Sequence, residues 1–331
     1  VIGEKLAVKF DEFRHKFSIK GYINQLAKKD VSFVILTDKE YPELLKKIKN
    51  PPFLLYVKGD TTTLYSSRER SESRSNVIPD LFGPRSSRGL DSRFRGNDKF
   101  SSRQDGYHMV TRQARTIIPT IAVVGTRRTT QYGREVTKIL TQDLVAAGFT
   151  IVSGLAMGVD AISHKTAIDN SGKTIAVLGC GVDCCYPTVN QHIYNSMVGN
   201  GLAKPDPAPQ GCIVSEFPLG LRPTKGSFPS RNRIIAGLSM GVLVTEGAED
   251  SGSLITADYA KKFGRPVFSV PGPITSSLSK GPYKLIQKGA KLVTSAEDII
   301  TKLGITGIKC ITGTTGRKKI YGDTKEEAMI L

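Results

Sequence analysis

An α/β protein built on a mostly parallel sheet covered on both faces is the fold this sequence predicts. Three observations carry that prediction. Between residues 120 and 302, short and nearly continuous apolar runs alternate with longer stretches of helical periodicity. The runs lack apolar/polar alternation, as expected of strands buried on both faces. Most of them end in glycine-rich loops, the punctuation of strand-to-helix turns.

Taken in order, Thr120–Val124 is an apolar strand ending at Gly125. Gln131–Ala147 is amphipathic, with Val136, Ile139, Leu140 and Leu144 on one face and Gly148 after it. Residues 149–152, 174–178, 211–214, 241–244, 266–270 and 291–293 read as further strands. Helices are expected at 159–169, 231–239, 252–264, 282–289 and 295–302, and His192 reads as an ordinary helix residue. The sheet domain therefore spans 119–303, with 304–331 as a tail.

The first sixty residues read as small and mostly helical, then extended. Helical spacing over 41–48 starts near Pro42 and stops at Pro51-Pro52; a strand over 53–57 is closed by Gly59-Asp60. Residues 61–118 break every pattern. Between 66 and 116 there are ten Ser and ten Arg with few aliphatics, too little apolar surface for a core, so this stretch is expected to be a disordered insertion.

The chain has 331 residues and carries 47 Lys and Arg against 30 Asp and Glu, a formal charge of +17. Such a balance favours a polyanionic partner, nucleic acid before membrane surface. No apolar run approaches the roughly 18 residues of a membrane-spanning helix. The first residues have neither the charged nor the apolar region of a secretory signal. Five cysteines (180, 184, 185, 212 and 310) show no C-x-x-C spacing, and the odd count fits a reduced cytoplasmic protein.

In an open parallel sheet, ligands bind at the carboxyl ends of the strands. Here those ends are rich in small residues: Gly125-Thr126 before Arg127-Arg128, Ser153-Gly154, Gly179 with Gly181, and Gly252-Ser253. Small residues let backbone approach a phosphate or sugar closely. Arg231 and Arg233 flank Asn232 at the expected start of the 231–239 helix, where unpaired N–H groups, the dipole and two forked cations suit an anion. Neither G-x-G-x-x-G nor the P-loop pattern is present. Candidates for acid–base work are thin. His164 sits on a helix face, and Glu246 and Glu249 are better placed to orient arginines or cap the helix after Ser251. Asp160 and Asp183 are suited to ordering loops. No metal-ligand spacing is present, and no cofactor is expected.

These residues resemble the DNA-processing protein A family, also called Smf. The resemblance covers about 38–60 and 119–302. It rests on Tyr41-Pro42…Pro51-Pro52…Gly59, Val123-Val124-Gly125-Thr126-Arg127, Ser153-Gly154-Leu155-Ala156-x-Gly158-Val159-Asp160-Ala161-x-x-His164 and Gly179-x-Gly181-x-Asp183-x-x-Tyr186-Pro187. Ser215-Glu216-Phe217-Pro218, Phe228-Pro229-x-Arg231-Asn232-Arg233, Ser251 to Ala257 and Val270-Pro271-Gly272 complete it. It implies an extended Rossmann-like, doubly wound sheet that binds single-stranded DNA, dimerises and hands the strand to the RecA recombinase in natural transformation. Family members are binding and loading proteins, not enzymes. On this chain the DNA-binding residues carried over are Arg127, Arg128, Arg231 and Arg233, with Lys225 and Lys165 more weakly. Against the family pattern, the N-terminal helical region reads as shortened, 61–118 splits a short junction, and 304–331 stands where a winged-helix domain would begin. Phe217 and Phe228 are the candidates for base stacking.

A second reading is a small-nucleotide enzyme of a related Rossmann-like group, such as a nucleoside-monophosphate phosphoribohydrolase. Its strand-end loop carries a catalytic Glu; in the comparable run from Asp250, Ile255 and Thr256 stand in its place. That difference favours binding over hydrolysis.

Overall fold

The computed structural model describes residues 8, 11–12, 14–64, 118–199 and 209–305. The expectations placed on the Ser/Arg-rich stretch after Leu64, on the tail after Ile305 and on Cys310 lie outside the described residues.

Helix α1 (Ile19–Lys28) starts where the Ser18 hydroxyl accepts the Gly21 N–H at 3.1 Å. Strand β1 (Val31–Ile35) follows, then a single turn α2 (Glu43–Lys46) and strand β2 (Leu54–Gly59). β1 and β2 pair antiparallel, Val34 opposite Leu55, and β2 pairs antiparallel with a later strand. The leading region thus joins the sheet through two strands: β2 falls on the expected 53–57 strand, whereas β1 was not expected. The reason is local: β1 has a buried, exposed, exposed, buried pattern, which hides the two-residue period of a strand. The 41–48 helix shortens to α2 because Tyr41 turns inward. Its ring is 1% exposed and its hydroxyl donates to the Pro52 carbonyl at 2.6 Å.

From Thr120 the chain runs β3 (Thr120–Val124), α3 (Gln131–Ala146), β4 (Thr150–Ser153), α4 (Val159–Asp169), β5 (Thr174–Val177), α5 (Gln191–Val198) and β6 (Gly211–Ser215). It continues as α6 (Ser227–Leu238), β7 (Val242–Val244), α7 (Gly252–Lys262), β8 (Val267–Ser269), α8 (Lys280–Gln287), β9 (Lys291–Leu292) and α9 (Ala296–Leu303). Each of the seven strands expected from residue 120 onward lies within one residue of an observed one at either end. Among the described residues the sheet has nine strands in the order β1-β2-β6-β5-β4-β3-β7-β8-β9. All pairings from β6 to β9 are parallel.

Both faces are covered. Along β3, Ala122 and Val124 enter one cluster with Ile234 and Ile235 of α6, Ala257 of α7 and Leu285 of α8. Ile121 and Val123 enter another with Leu140 and Leu144 of α3 and Ile299 of α9. A third joins α1 and α5 to the β2–β6–β5 side through Leu26, Ile193, Met197 and Ile213. Fully burying one such aliphatic side chain contributes about 1.5–3 kcal/mol. No helix among the described residues is long and apolar enough to cross a membrane.

One boundary moves with consequences. α6 starts at Ser227, not at Arg231. Pro229 falls in its first turn, where the missing N–H is not needed, so the proline begins the helix instead of delaying it. Arg231 and Arg233 therefore lie beyond the unpaired N–H groups of the first turn.

Candidate nucleic-acid interface

The strand order sets the place of the site. From β3 the chain winds through β4 and β5 to β6 on one side, whereas β7, β8 and β9 extend on the other. The loops leaving β3 and β7 diverge at this reversal, and the crevice they open is where doubly wound sheets hold ligands. Here it has a volume of about 710 Å³. Four strand-end loops reach it: Gly125 to Arg128 after β3, Ala156 after β4, Tyr186 after β5 and Ala248 to Ser253 after β7. Lys225, before α6, and Phe228, Arg231 and Asn232, in its first two turns, form the remaining wall.

The β3 loop is fastened from below. Thr126 donates its N–H to the Glu246 carbonyl at 2.7 Å and accepts the Val159 N–H at 3.1 Å. The Glu246 carboxylate, 2% exposed, accepts both the N–H and the hydroxyl of Thr130, the residue capping α3. Glu246 thus orients no arginine and does not cap α7; Ser251 caps α7 itself, and Glu249 pairs with Lys284 at 3.1 Å. With the loop fixed, Arg127 and Arg128 project into solvent at the rim. Lys225 is exposed on the opposite wall. No carboxylate of the described residues makes a salt bridge with any of these three cations. The Arg127 guanidinium lies 5.5 Å from the Phe228 ring centre, and Phe228 lies 5.7 Å from the ring of Tyr186, which is 47% exposed. Cation and rings form one amphipathic platform.

Arg231 has a different fate. It is 5% exposed, and its Nη1 donates to the carbonyls of Gly154, at 2.7 Å, and Val177, tying the ends of β4 and β5 together. Its Nε donates to Asn232 Oδ1 at 3.0 Å, and the Asn232 amide reaches the Gly252 carbonyl at 3.4 Å. Asp160 accepts the N–H groups of Gly154 at 3.1 Å and Ala156 at 3.4 Å. Burial raises its carboxyl above the usual range, and the field of Arg231 opposes that rise. Burial lowers the pKa of Arg231 in turn, with Asp160 opposing. His164 is fully buried: its Nδ1–H donates to the Thr174 hydroxyl at 2.7 Å, which itself donates to the Ile151 carbonyl, and its Nε2 accepts the Leu155 N–H at 3.3 Å. Burial first, then Arg231, takes its pKa down to about 3. His164 is a neutral strut holding Leu155 at φ 55°, not a base facing the crevice.

Arg233 turns away and pairs with Glu216 at 2.6 Å. Both arginines expected to form the anion fork are engaged with protein partners. Ser153 is buried and donates to the Val123 carbonyl at 2.7 Å; Gly179 and Gly181 pack against Ser227 and against Asp183 and Pro218. Asp183 ties its loop to the one after β6, accepting the Gly220 N–H at 2.9 Å. The small residues also have a reason other than ligand approach. A Cβ on Gly154 would lie 2.2 Å from the Arg231 guanidinium, and one on Gly125 would lie 2.6 Å from Val159. Gly252 alone among these site glycines has open space in front of it. Gly125, Thr126, Arg127, Arg128, Lys225, Arg231, Asn232, Gly252 and Ser253 line the crevice as expected, and Phe228 joins them whereas Phe217 does not. Lys165 lies outside it on α4. Tyr186 was not foreseen as a site residue; its place in the strand-end loop after β5 was the available signal. Among the described residues no three His, Cys, Asp or Glu side chains gather as a metal site.

Comparison with known proteins agrees with this architecture. The family model for DNA recombination-mediator protein A matches residues 111–304. The DNA processing protein DprA of Bacillus subtilis is 36% identical over 273 residues, covering 82% of this chain and 71% of that protein. Protein Smf of Synechocystis is 33% identical over 302 residues, covering 91% of this chain and 61% of its own length. The chain thus spans roughly two thirds of these relatives. Among solved structures, DNA processing protein A from Streptococcus pneumoniae matches with a TM-score of 0.65 and 32% identity, covering 88% of this chain and 81% of that one. That from Helicobacter pylori, described for its single-stranded DNA binding mode, matches with a TM-score of 0.58 and 26% identity, over 82% and 95% of the two chains. With more than half its length matched by the family model, and a relative above 30% identity covered over more than two thirds, the chain belongs to the DNA recombination-mediator protein A family.

Proposed function

We propose that the crevice binds single-stranded DNA without sequence preference and that the chain acts as a recombination mediator rather than an enzyme. The observation that carries this reading is the rim: Arg127, Arg128 and Lys225, three cations without salt-bridge partners among the described residues, stand around an aromatic pair at the sheet's switch point. The cations neutralise phosphates, while Phe228 and Tyr186 offer faces on which any base stacks. The open N-terminus of α7 at Gly252 adds a positive dipole end. Handing the strand to RecA in natural transformation, and acting in the cytoplasm as a homodimer, belong to the same proposal and are supported by family membership.

A volume of about 710 Å³ also suits a small nucleotide. The buried carboxylates nearest the floor, Asp160 and Glu246, are engaged by backbone and hydroxyl donors, which counts against a hydrolytic role.

Fluorescence anisotropy with a labelled single strand and its duplex, at two salt concentrations, tests the proposal. Tighter single-strand binding is expected, with log affinity falling against log salt by about 0.7 per phosphate contacted. The double variant Arg127→Ala/Arg128→Ala should flatten that slope by about 1.4 while the protein stays folded. Equal slopes for the variant and the parent would overturn the mapping. Release of free base from a nucleoside monophosphate, with no strand binding, would install the nucleotide reading.

A further inference from the structure

A second concavity opens on the other side of the β3 loop. It lies between α3 and α4, has a volume of about 670 Å³, and shares Arg127 and Arg128 with the crevice. Arg134 and Lys138 line it from α3, and Lys165 from α4. Arg134 and Lys138 are four residues apart on one helix, so they share a face, about 6 Å apart along the axis. The Arg134 Nε donates to Thr129 Oγ1 at 3.2 Å, which holds that guanidinium at the end of the trough nearest the β3 loop. Among the described residues Asp169 is the single carboxylate lining it, and it pairs with Lys165 at 2.9 Å. Glu135, the neighbouring acid on α3, is bonded by the Gln131 amide at 2.8 Å.

A solvated basic helix face is common, but this one is concave, draws its cations from two helices and continues the rim of the crevice. We infer that the trough between α3 and α4 is an exit track for the same single strand: its phosphate backbone passes over Arg127 and Arg128 and lies along Arg134, Lys138 and Lys165. This rests on the reading of the crevice as a single-strand site. It gives Lys165 a role that its position outside the crevice otherwise leaves open. Strand length becomes the deciding variable, because a fragment short enough to fill only the crevice never reaches the trough.

The test uses the whole chain, the variant Arg134→Gln/Lys138→Gln/Lys165→Gln and labelled oligothymidylates of two lengths, one filling the crevice alone and one several times longer. The three side chains are exposed and glutamine is a good helix former, so the variant keeps the fold. With the long strand, the salt slope should drop by about 2, three phosphate contacts at about 0.7 each. Raising salt from about 50 to about 200 mM then weakens the variant's binding by roughly an order of magnitude less than the parent's. With the short strand, slope and affinity should not change. An unchanged slope on the long strand overturns the track, as does an equal drop on both lengths, which would mean only diffuse electrostatics. Failure of the crevice itself shows separately, as loss of short-strand binding by the unsubstituted chain.

Discussion

Arg127 and Arg231 line the same crevice and have opposite physical situations. Arg127 sits in a loop fastened at Thr126 and Thr130, faces water, and has a ring for company. Arg231 lies beneath, donates to the ends of two strands and shares its buried space with Asp160 and His164. A guanidinium stripped of water must find partners inside the protein, and once it has them little remains for a ligand. The comparison teaches that the arginine-rich motif at α6 builds the floor, and that the short Thr126-Arg127-Arg128 run supplies the free charge.

The largest effect that could break this division follows from Arg231→Ala. Removing the buried guanidinium takes away the field that opposes the desolvation of Asp160, in a floor where each buried polar group left unpaired costs about 1–3 kcal/mol. Two strand-end carbonyls lose their donor at the same time. Chemical denaturation should show a severely destabilised protein, while Arg127→Ala shifts the midpoint hardly at all, as exposed substitutions do. A stable Arg231→Ala protein that had lost only strand binding would reverse the roles assigned to the two arginines.

A second, intermediate effect sharpens the account of the floor through pH. His164 titrates near 6.5 when unfolded and at about 3 when folded, because burial and Arg231 both penalise its charged form. Its folded pKa is depressed, so the unfolded chain takes up the proton first as pH falls. Stability is fully present above 6.5 and is lost towards 3, by up to about 1.4 kcal/mol per pH unit. Asp160 works the other way: its folded pKa is raised, so its protonation relieves a cost and offsets part of the loss at the acid end. Denaturant midpoints measured from pH 7 downward should fall, and His164→Gln should flatten that fall. An unaltered pH profile in the variant would mean that His164 is not the group held neutral in the floor.

How much of this was legible beforehand follows the same physics. Strands buried on both faces announce themselves as apolar runs, so the sheet from Thr120 onward could be read almost to the residue. β1 could not, because its buried residues Val31 and Val34 are spaced as on a helix. The position of Arg127 and Arg128 at the rim was readable because they follow a glycine-terminated strand, and loops at such strand ends border the crevice of an open sheet. The fate of Arg231 was not, since it depends on Gly154 and Val177, which are 77 and 54 residues away along the chain. Glycines misled for a related reason. Composition shows that a residue is small, but only the fold shows whether a ligand or an arginine occupies the space it vacates.

That last distinction can be tested with one methyl group, the smallest effect in the series. At Gly252 an added Cβ meets nothing within 4 Å, and the residue opens α7 with an ordinary backbone, so Gly252→Ala should fold well. It should gain about 0.4–1 kcal/mol by restricting the unfolded chain. The methyl nevertheless projects into the crevice, where it would meet a strand lying against the start of α7. The expected outcome is a slightly higher denaturation midpoint together with a few-fold weaker hold on a short single strand and an unchanged salt slope, because no charge has been removed. A gain in stability with undiminished affinity would place the strand on the Arg127, Phe228 and Tyr186 side of the crevice and remove α7 from the interface. Loss of both would show that Gly252, like Gly154, is small for the sake of the protein.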